Sequence, residues 1–269
     1  MPTMRFLYPL LLLGLAAQAP APRPATAPDL AHVKYDMYAA GLDVLELRAG
    51  IGLNATGYRV EITFRTTGLA GVMVRGRQSS ATDGVWAGDQ PEPLRVWGDG
   101  FWRGTPRHTL IEYDRGIPLV RTLTPPNDEE REPVPVELQA HTMDTLSAMA
   151  MLMRRVARTG RCEAEARTFD GRRLADITAR TVGEEVLPRT GRSMFAGPAL
   201  RCDFEGHQLA GFMRDEDRAR LMRPHRGSAW FAAAEPGGPL LPVRIAFETR
   251  WFGDATMYLT ATGEAAVAP

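Results

Sequence analysis

Lysine is almost missing from this chain of 269 residues: Lys34 is the single one, and every other basic position is arginine. The codon bias of a GC-rich genome accounts for that skew, and it leaves no lysine for a phosphate-binding Walker loop or for Schiff-base chemistry. An excess of either charge is missing too. The 32 Lys and Arg residues cancel the 32 Asp and Glu residues, so the chain as a whole carries no electrostatic footprint for nucleic acid. Cysteine is scarce, with Cys162 and Cys202 alone; two thiols without flanking histidines are too few ligands for a zinc site. Recognised catalytic patterns are absent. Gly191-Arg192-Ser193 begins a nucleophile elbow, but Phe195 stands where glycine is required. Gly98-Asp99-Gly100 is followed by Gly104, one residue too late for a dinucleotide loop. Asp215-Glu216-Asp217 lacks the spacing and the glycine of a calcium loop. No cofactor and no metal is therefore expected, and no catalytic residue is assigned.

What is present begins at the amino terminus. Arg5 precedes an uninterrupted apolar run from Phe6 to Ala17, and small residues with a Pro/Ala tract follow. This order predicts a secretory signal peptide over residues 1–19. Cutting after Ala19 fits the small-x-small rule but places Pro20 next; cutting after Ala17 avoids that and puts Leu15 in the small-residue pocket. The run is shorter than the roughly 20 residues a membrane span needs, and no other segment is longer, so no membrane span is expected. Residues 20–30 read as an extended Pro/Ala linker, and residues 31–263 as a single β-rich domain.

Within that domain hydrophobic residues alternate with polar ones. Leu45, Leu47, Ala49, Ile51 and Leu53 form one such series; Tyr58, Val60, Ile62 and Phe64 form the next, after a turn at residues 54–57. Period-two alternation means one dry face and one wet face, the mark of an antiparallel sheet. Val72–Arg77 reads as a third strand and Leu110–Asp114 as another. Residues 124–135, with their prolines and acidic run, read as a solvated loop. Asp144 is a candidate N-cap for a helix over about 144–159, with an apolar stripe at Leu146, Met149, Ala150, Met153 and Ala157, and Gly160 to close it. Asp170-Gly171 predicts a hairpin between Cys162–Phe169 and Arg173–Val182. Residues 200–204, 243–248 and 255–261 add further strands. The fold class is mostly β: a single antiparallel curved sheet, or a barrel or half-barrel, of about nine or ten strands with one main helix.

The candidate site residues are few. Cys162 and Cys202 share the apolar phase of two strands, and an oxidising compartment favours joining them as a disulfide; two buried free thiols are the alternative. His32, His108, His141, His207 and His225 are scattered singly, each read as a surface or loop residue. Tyr113-Asp114-Arg115-Gly116 presents an Asp–Arg pair in a cleft or ends a strand in a turn. Trp86, Trp97, Phe101 and Trp102 line a groove for an acyl chain or glycan, or cap one barrel end as core aromatics.

Tyr113-Asp114, Asp144-Thr145-Leu146-Ser147 opening a Met- and Ala-rich helix, Asp170-Gly171-Arg172, and Leu241-Pro242-Val243-Arg244 entering a late strand together resemble the exported proteobacterial family known as domain of unknown function 3108. The resemblance spans most of the mature chain and is strongest from Asp144 to Phe247. It implies an exported, largely β protein with no established activity, and it transfers no catalytic residue.

The favoured functional expectation is a periplasmic or secreted protein with a non-catalytic envelope role, binding an apolar or lipid-like ligand. If the sheet is open, the helix should lie on its concave face beside a groove lined by Val60, Ile62, Phe64, Met149 and Phe247. Two alternatives stand beside it. One is a structural envelope component that binds a protein partner; the other is a hydrolase assembled from Asp, Glu and His.

Overall fold

The computed structural model describes residues 28–249 and 253–267. The expected signal peptide and most of the Pro/Ala linker lie outside them. Strands β1 (Ala31–Ala39), β2 (Leu42–Leu53) and β3 (Gly57–Thr66) lead to a helical turn, α1 (Gly68–Met73). Strands β4 (Gly76–Ala87), β5 (Gln90–Trp102), β6 (Thr105–Asp114) and β7 (Ile117–Thr124) follow. A connecting segment holds α2 (Asn127–Glu130) and a 3-10 turn at Val136–Leu138, and leads into the main helix α3 (Thr145–Thr159). The chain returns through β8 (Ala164–Phe169), β9 (Leu174–Leu187), β10 (Gly197–Ala210), α4 (Arg218–Leu221), β11 (His225–Ala233), β12 (Leu240–Thr249), β13 (Gly253–Thr262) and α5 (Glu264–Val267).

The described residues form one antiparallel sheet of 13 strands in the order β7-β6-β5-β4-β3-β2-β1-β13-β12-β11-β10-β9-β8. Two meanders thus join where the first strand pairs with the last, from Val33 opposite Thr262 to Ala39 opposite Ala255. The sheet stays open between β7 and β8. It curls until its ends meet through side chains: Gly171, at the β8–β9 turn with φ +86°, lies against Leu123 of β7 and Ile111 of β6. The segment after β7 is solvated as expected at Pro126, Asp128, Glu129, Pro133 and Pro135, and it also covers this seam. Glu130 is held by Arg107 at 2.7 and 2.8 Å, Arg131 bridges to Met213, and Val134 is buried with Phe169, Leu174 and Ala210.

More strands form than the sequence pattern predicts, and the turns explain why. Ala40-Gly41, Arg103-Gly104 and Arg115-Gly116 each have positive φ at both residues, the geometry of tight two-residue hairpins. Their first residues are Ala or Arg instead of the Asn or Asp that advertises such a turn. The Asn54 turn does advertise itself: its Oδ1 accepts from the Thr56 and Gly57 amides at 2.9 and 2.8 Å. The strand expected over Val72–Arg77 is corrected. Gly68, at φ +53°, turns the chain out of the sheet, α1 occupies 68–73, and pairing resumes only at Gly76 opposite Trp102.

Candidate functional site

Helix α3 sits against the concave face and organises the interior. Asp144 caps it, accepting from the Leu146 and Ser147 amides at 2.9 and 3.0 Å, and Gly160 ends it in the left-handed conformation, φ 66°. Its buried residues are Leu146, Ser147, Ala150, Met151, Met153 and Val156. Ala157, placed on the apolar stripe by its spacing, is exposed instead, since at this end the buried face runs through its neighbour Val156.

One flank of α3 is tied to β3 and β4 by polar groups. The Tyr58 hydroxyl donates to Ser147 Oγ at 2.8 Å, Ser147 Oγ donates to Asp144 Oδ2, and the Thr82 hydroxyl donates to the same carboxylate oxygen at 3.0 Å. Burial pushes the Asp144 carboxyl above its ordinary range, and the hydrogen bonds from Ser147, Thr82 and the cap amides pull against that rise. Burial likewise raises the Tyr58 hydroxyl. Farther along, the Arg154 guanidinium stacks 4.2 Å from the centre of the Trp86 ring, whose indole N–H donates to Gly57 O at 3.0 Å. Arg158 pairs with Asp89 in the β4–β5 turn.

The opposite flank faces β8–β12 across a pocket of about 240 Å³. Thr145, Ala148, Met149 and Leu152 present one stripe of the helix to it, at the i, i+3, i+4, i+7 spacing of a single face. Ala164 and Ala166 of β8, Ala179 of β9 and Ala229 of β11 floor it, with Ile177, Phe204, Phe231 and Ile245 around them. The physical cause of the pocket is that row of alanines: methyl groups stand where Val or Ile would reach the helix. The volume exceeds the roughly 150 Å³ of a dry cavity that holds benzene and approaches the roughly 300 Å³ at which small-molecule pockets begin.

Thr145 and Ile177 also line a second, polar hollow of about 350 Å³, together with Thr168, Asp170, Arg173, Gln208 and His225. Asp170 accepts from the Arg172 and Arg173 amides at 2.9 and 2.7 Å and from Arg173 Nε and Nη2 at 2.8 and 2.7 Å. Burial alone would raise its carboxyl; the Arg173 charge and these amides hold it below the ordinary range. An apolar chamber with a polar vestibule suits an amphipathic molecule.

Of the groove residues expected from the sequence, Met149 alone lines this pocket. Val60 is fully buried in the core, Ile62 and Phe247 pack against that core, and Phe64 is half-buried on β3. Alternation identified the inward phase correctly. It favoured large side chains, whereas a pocket forms where inward residues are small, and the signal available was alanine at inward positions 164, 166, 179 and 229. The four aromatics do not converge on one groove. Trp86 packs on Tyr58 with ring centres 4.7 Å apart and planes tilted by 44°, while Phe101 and Trp102 are exposed at the β5–β6 turn. Cys162 and Cys202 are bonded with Cα atoms 5.8 Å apart, linking the start of β8 to β10 across β9, beside the pocket.

The histidines remain apart from one another. His108 contacts Asp99 at 2.6 Å and His207 contacts Glu205 at 2.5 Å, both on half-exposed strand positions. Asp114 and Arg115 form an exposed pair in a tight turn, and Asp217 caps α4 through the Ala219 amide. Among the described residues no group of three or more His, Cys, Asp or Glu is placed to hold a metal. Much of the outer-face charge is engaged in cross-strand pairs, such as Arg167–Asp176 at 2.7 Å, Arg180–Asp203 at 2.8 Å and Arg226–Glu205 at 2.6 Å.

The fold and site define a class: an open antiparallel half-barrel wound on one helix, with an apolar pocket along one helix flank. The chain belongs to the family of proteins of unknown function DUF3108, which matches residues 34–260. No curated protein matches it. It is similar to a solved structure from Brucella abortus, described as a beta-barrel-like protein of the domain of unknown function DUF1849. The two share 12% identity, with 88% of this chain and 98% of that chain covered and a TM-score of 0.49.

Proposed function

We propose that this is an exported, non-catalytic envelope protein that holds an amphipathic, lipid-like ligand. The apolar part lies between α3 and β8–β12, and the polar end rests in the vestibule near Arg173 and Gln208. The observation that carries this reading is that an alanine-floored pocket of about 240 Å³ adjoins a polar hollow of about 350 Å³, with Thr145 and Ile177 lining both. A pocket lined by methyl and methylene groups is poorly wetted, and an alkyl chain entering it gains hydrophobic free energy. Export is supported by Arg5, the apolar run Phe6–Ala17 and the small residues after it, and a disulfide fits an oxidising compartment.

The test is titration with a dansyl-labelled undecanoic acid against the parent protein and an A166L/A229F variant that fills the pocket. The parent should bind in the micromolar range and the filled variant at least tenfold more weakly, with circular dichroism unchanged. Equal binding by both proteins, or none by either, would discard the reading. Export is tested separately by intact mass: protein from the envelope fraction should lack at least residues 1–17, and a full-length mass would reject cleavage.

A further inference from the structure

A different part of the molecule carries an apolar surface that the pocket does not use. Helix α1 and the β5–β6 turn meet at one end of the sheet. The Arg103 amide donates to Arg75 O at 3.0 Å, and the Trp102 ring covers Gly76 so closely that a Cβ there would lie 2.4 Å from a ring carbon. On the other side α1 leans on the β1–β2 turn, where the Thr67 amide donates to Val44 O at 3.1 Å and the Thr67 hydroxyl to Asp43 at 2.7 Å. These contacts bring Leu42, Leu69, Val72, Met73, Phe101 and Trp102 into one protruding tip. Leu69, Val72 and Met73 are 67%, 79% and 84% exposed, far more than folding alone explains, since α1 buries none of its residues.

The rim of this tip is basic. Arg75, Arg77 and Arg103 are exposed and, among the described residues, take part in none of the ion pairs that engage arginines elsewhere on the sheet. Asp43 is the acidic side chain in the contacts that assemble the tip, and it is held by Thr67. Aliphatic side chains at an apex, a Trp and a Phe beside them, and arginines around the base match the layers of a bilayer interface: acyl region, carbonyl region and phosphates.

We propose that the tip formed by α1 and the β5–β6 turn docks on an anionic lipid bilayer, inserting Leu69, Val72 and Met73 below the headgroups while Arg75, Arg77 and Arg103 meet phosphates. The chemistry favours a lipid surface over a protein partner because highly exposed aliphatic side chains, a Trp and a Phe stand beside exposed arginines, an apolar apex complementary to acyl chains with a basic rim complementary to phosphates. Antiparallel order places this tip at the same end of the sheet as the polar vestibule, since β4, β9 and β11 start there and β5, β8 and β10 end there. The proposal uses none of the pocket residues, so it stands or falls independently of ligand binding.

The experiment is co-sedimentation of the full chain with vesicles of equal phosphatidylglycerol and phosphatidylethanolamine, compared with pure phosphatidylcholine. The parent should bind the anionic vesicles at least tenfold more strongly, and 0.5 M salt should remove most of that preference. V72D/M73D should lose tenfold or more, and R75E/R103E about fivefold per residue on anionic vesicles alone, all with unchanged thermal melts. Brominated lipids should quench a fluorescence component that W102F lacks. Vesicle binding that V72D/M73D leaves untouched would belong to the amino-terminal apolar run and overturn the proposal. Absence of vesicle binding, with self-association that V72D/M73D abolishes, would overturn it in favour of a protein interface.

Discussion

The two flanks of α3 are built on opposite principles. Toward β3 and β4 the helix is anchored by the Tyr58–Ser147–Asp144–Thr82 hydrogen bonds, which define one position for it. Toward β8–β12 it meets methyl groups across about 240 Å³ of open space, and on that side the strands are tied to each other by Cys162–Cys202. A helix held by directional bonds on one side need not be packed tightly on the other. The polar flank supplies position, and the pocket flank is left free to accept something.

The sharpest way to break this contrast is to remove the anchor. Asp144→Ala should destabilise the protein by about 3–4 kcal/mol in urea unfolding, because it deletes the cap and leaves the Thr82 and Ser147 hydroxyls buried without their acceptor. Asp144→Asn should cost far less, since an amide oxygen can still cap. It should also remove one pH dependence. The folded carboxyl binds its proton more tightly than the unfolded one, so the parent loses stability as pH rises from the ordinary carboxyl range to the raised value. An Asp144→Ala cost below about 1 kcal/mol would show that the helix is not anchored there.

Loss of the disulfide comes next. Closing a loop of sequence separation 40 corresponds to about 4 kcal/mol on the chain-entropy model and commonly delivers 2–4. The C162A/C202A variant should therefore unfold at clearly lower urea, and its ligand affinity should fall as the pocket floor loosens. A smaller pair of changes compares the flanks directly. Leu146→Ala, in the core cluster away from the pocket, should cost about 2–4 kcal/mol. Met149→Ala, on the pocket wall, should cost about 1 kcal/mol or less, because the space it vacates is already continuous with a hollow. Equal costs would mean that the pocket closes in solution.

A further effect lies outside the helix. Burial alone would raise Glu46, but hydrogen bonds from Arg65, Arg48 and Lys34 override it and hold the carboxyl at about 2, against an ordinary 4.5. Its contribution is present above the ordinary value and is lost as pH falls from about 4.5 toward about 2. After screening it should amount to about 1–2 kcal/mol. Glu46→Gln should flatten the acid limb of the stability curve in that window while leaving the response of Asp144 at higher pH in place.

How much of this was legible beforehand varied from one element to the next. Alternation in β2, β3, β9 and β12, the Asp144 cap, the Gly160 stop and the turns at Asn54 and Asp170-Gly171 are local patterns, and each is where the residues indicated. Strands β1, β7 and β11 were missed. Two of them are bounded by tight turns whose first residue is Ala40 or Arg115, which adopt positive φ only because the paired strands hold them there. The run Val72–Met73 misled in the other direction: its apolar residues suggested a buried strand, yet they face solvent. The pocket was misplaced because large inward residues mark a filled core, and here the cavity follows from small ones.

Local pattern is enough to set the class of this protein, an antiparallel sheet with one capped helix, because period-two and period-3.6 patterns are written in consecutive residues and need no distant partner. It also determined that the chain resembles a family without a known activity. The tertiary structure alone decided that β1 pairs with β13, that the seam is covered by residues 125–143, and that alanines from β8, β9 and β11 meet under one face of α3. Those facts depend on which residues, far apart along the chain, are brought to the same few ångströms. Such meetings depend on the curvature and closure of the whole sheet, which no local stretch of sequence encodes.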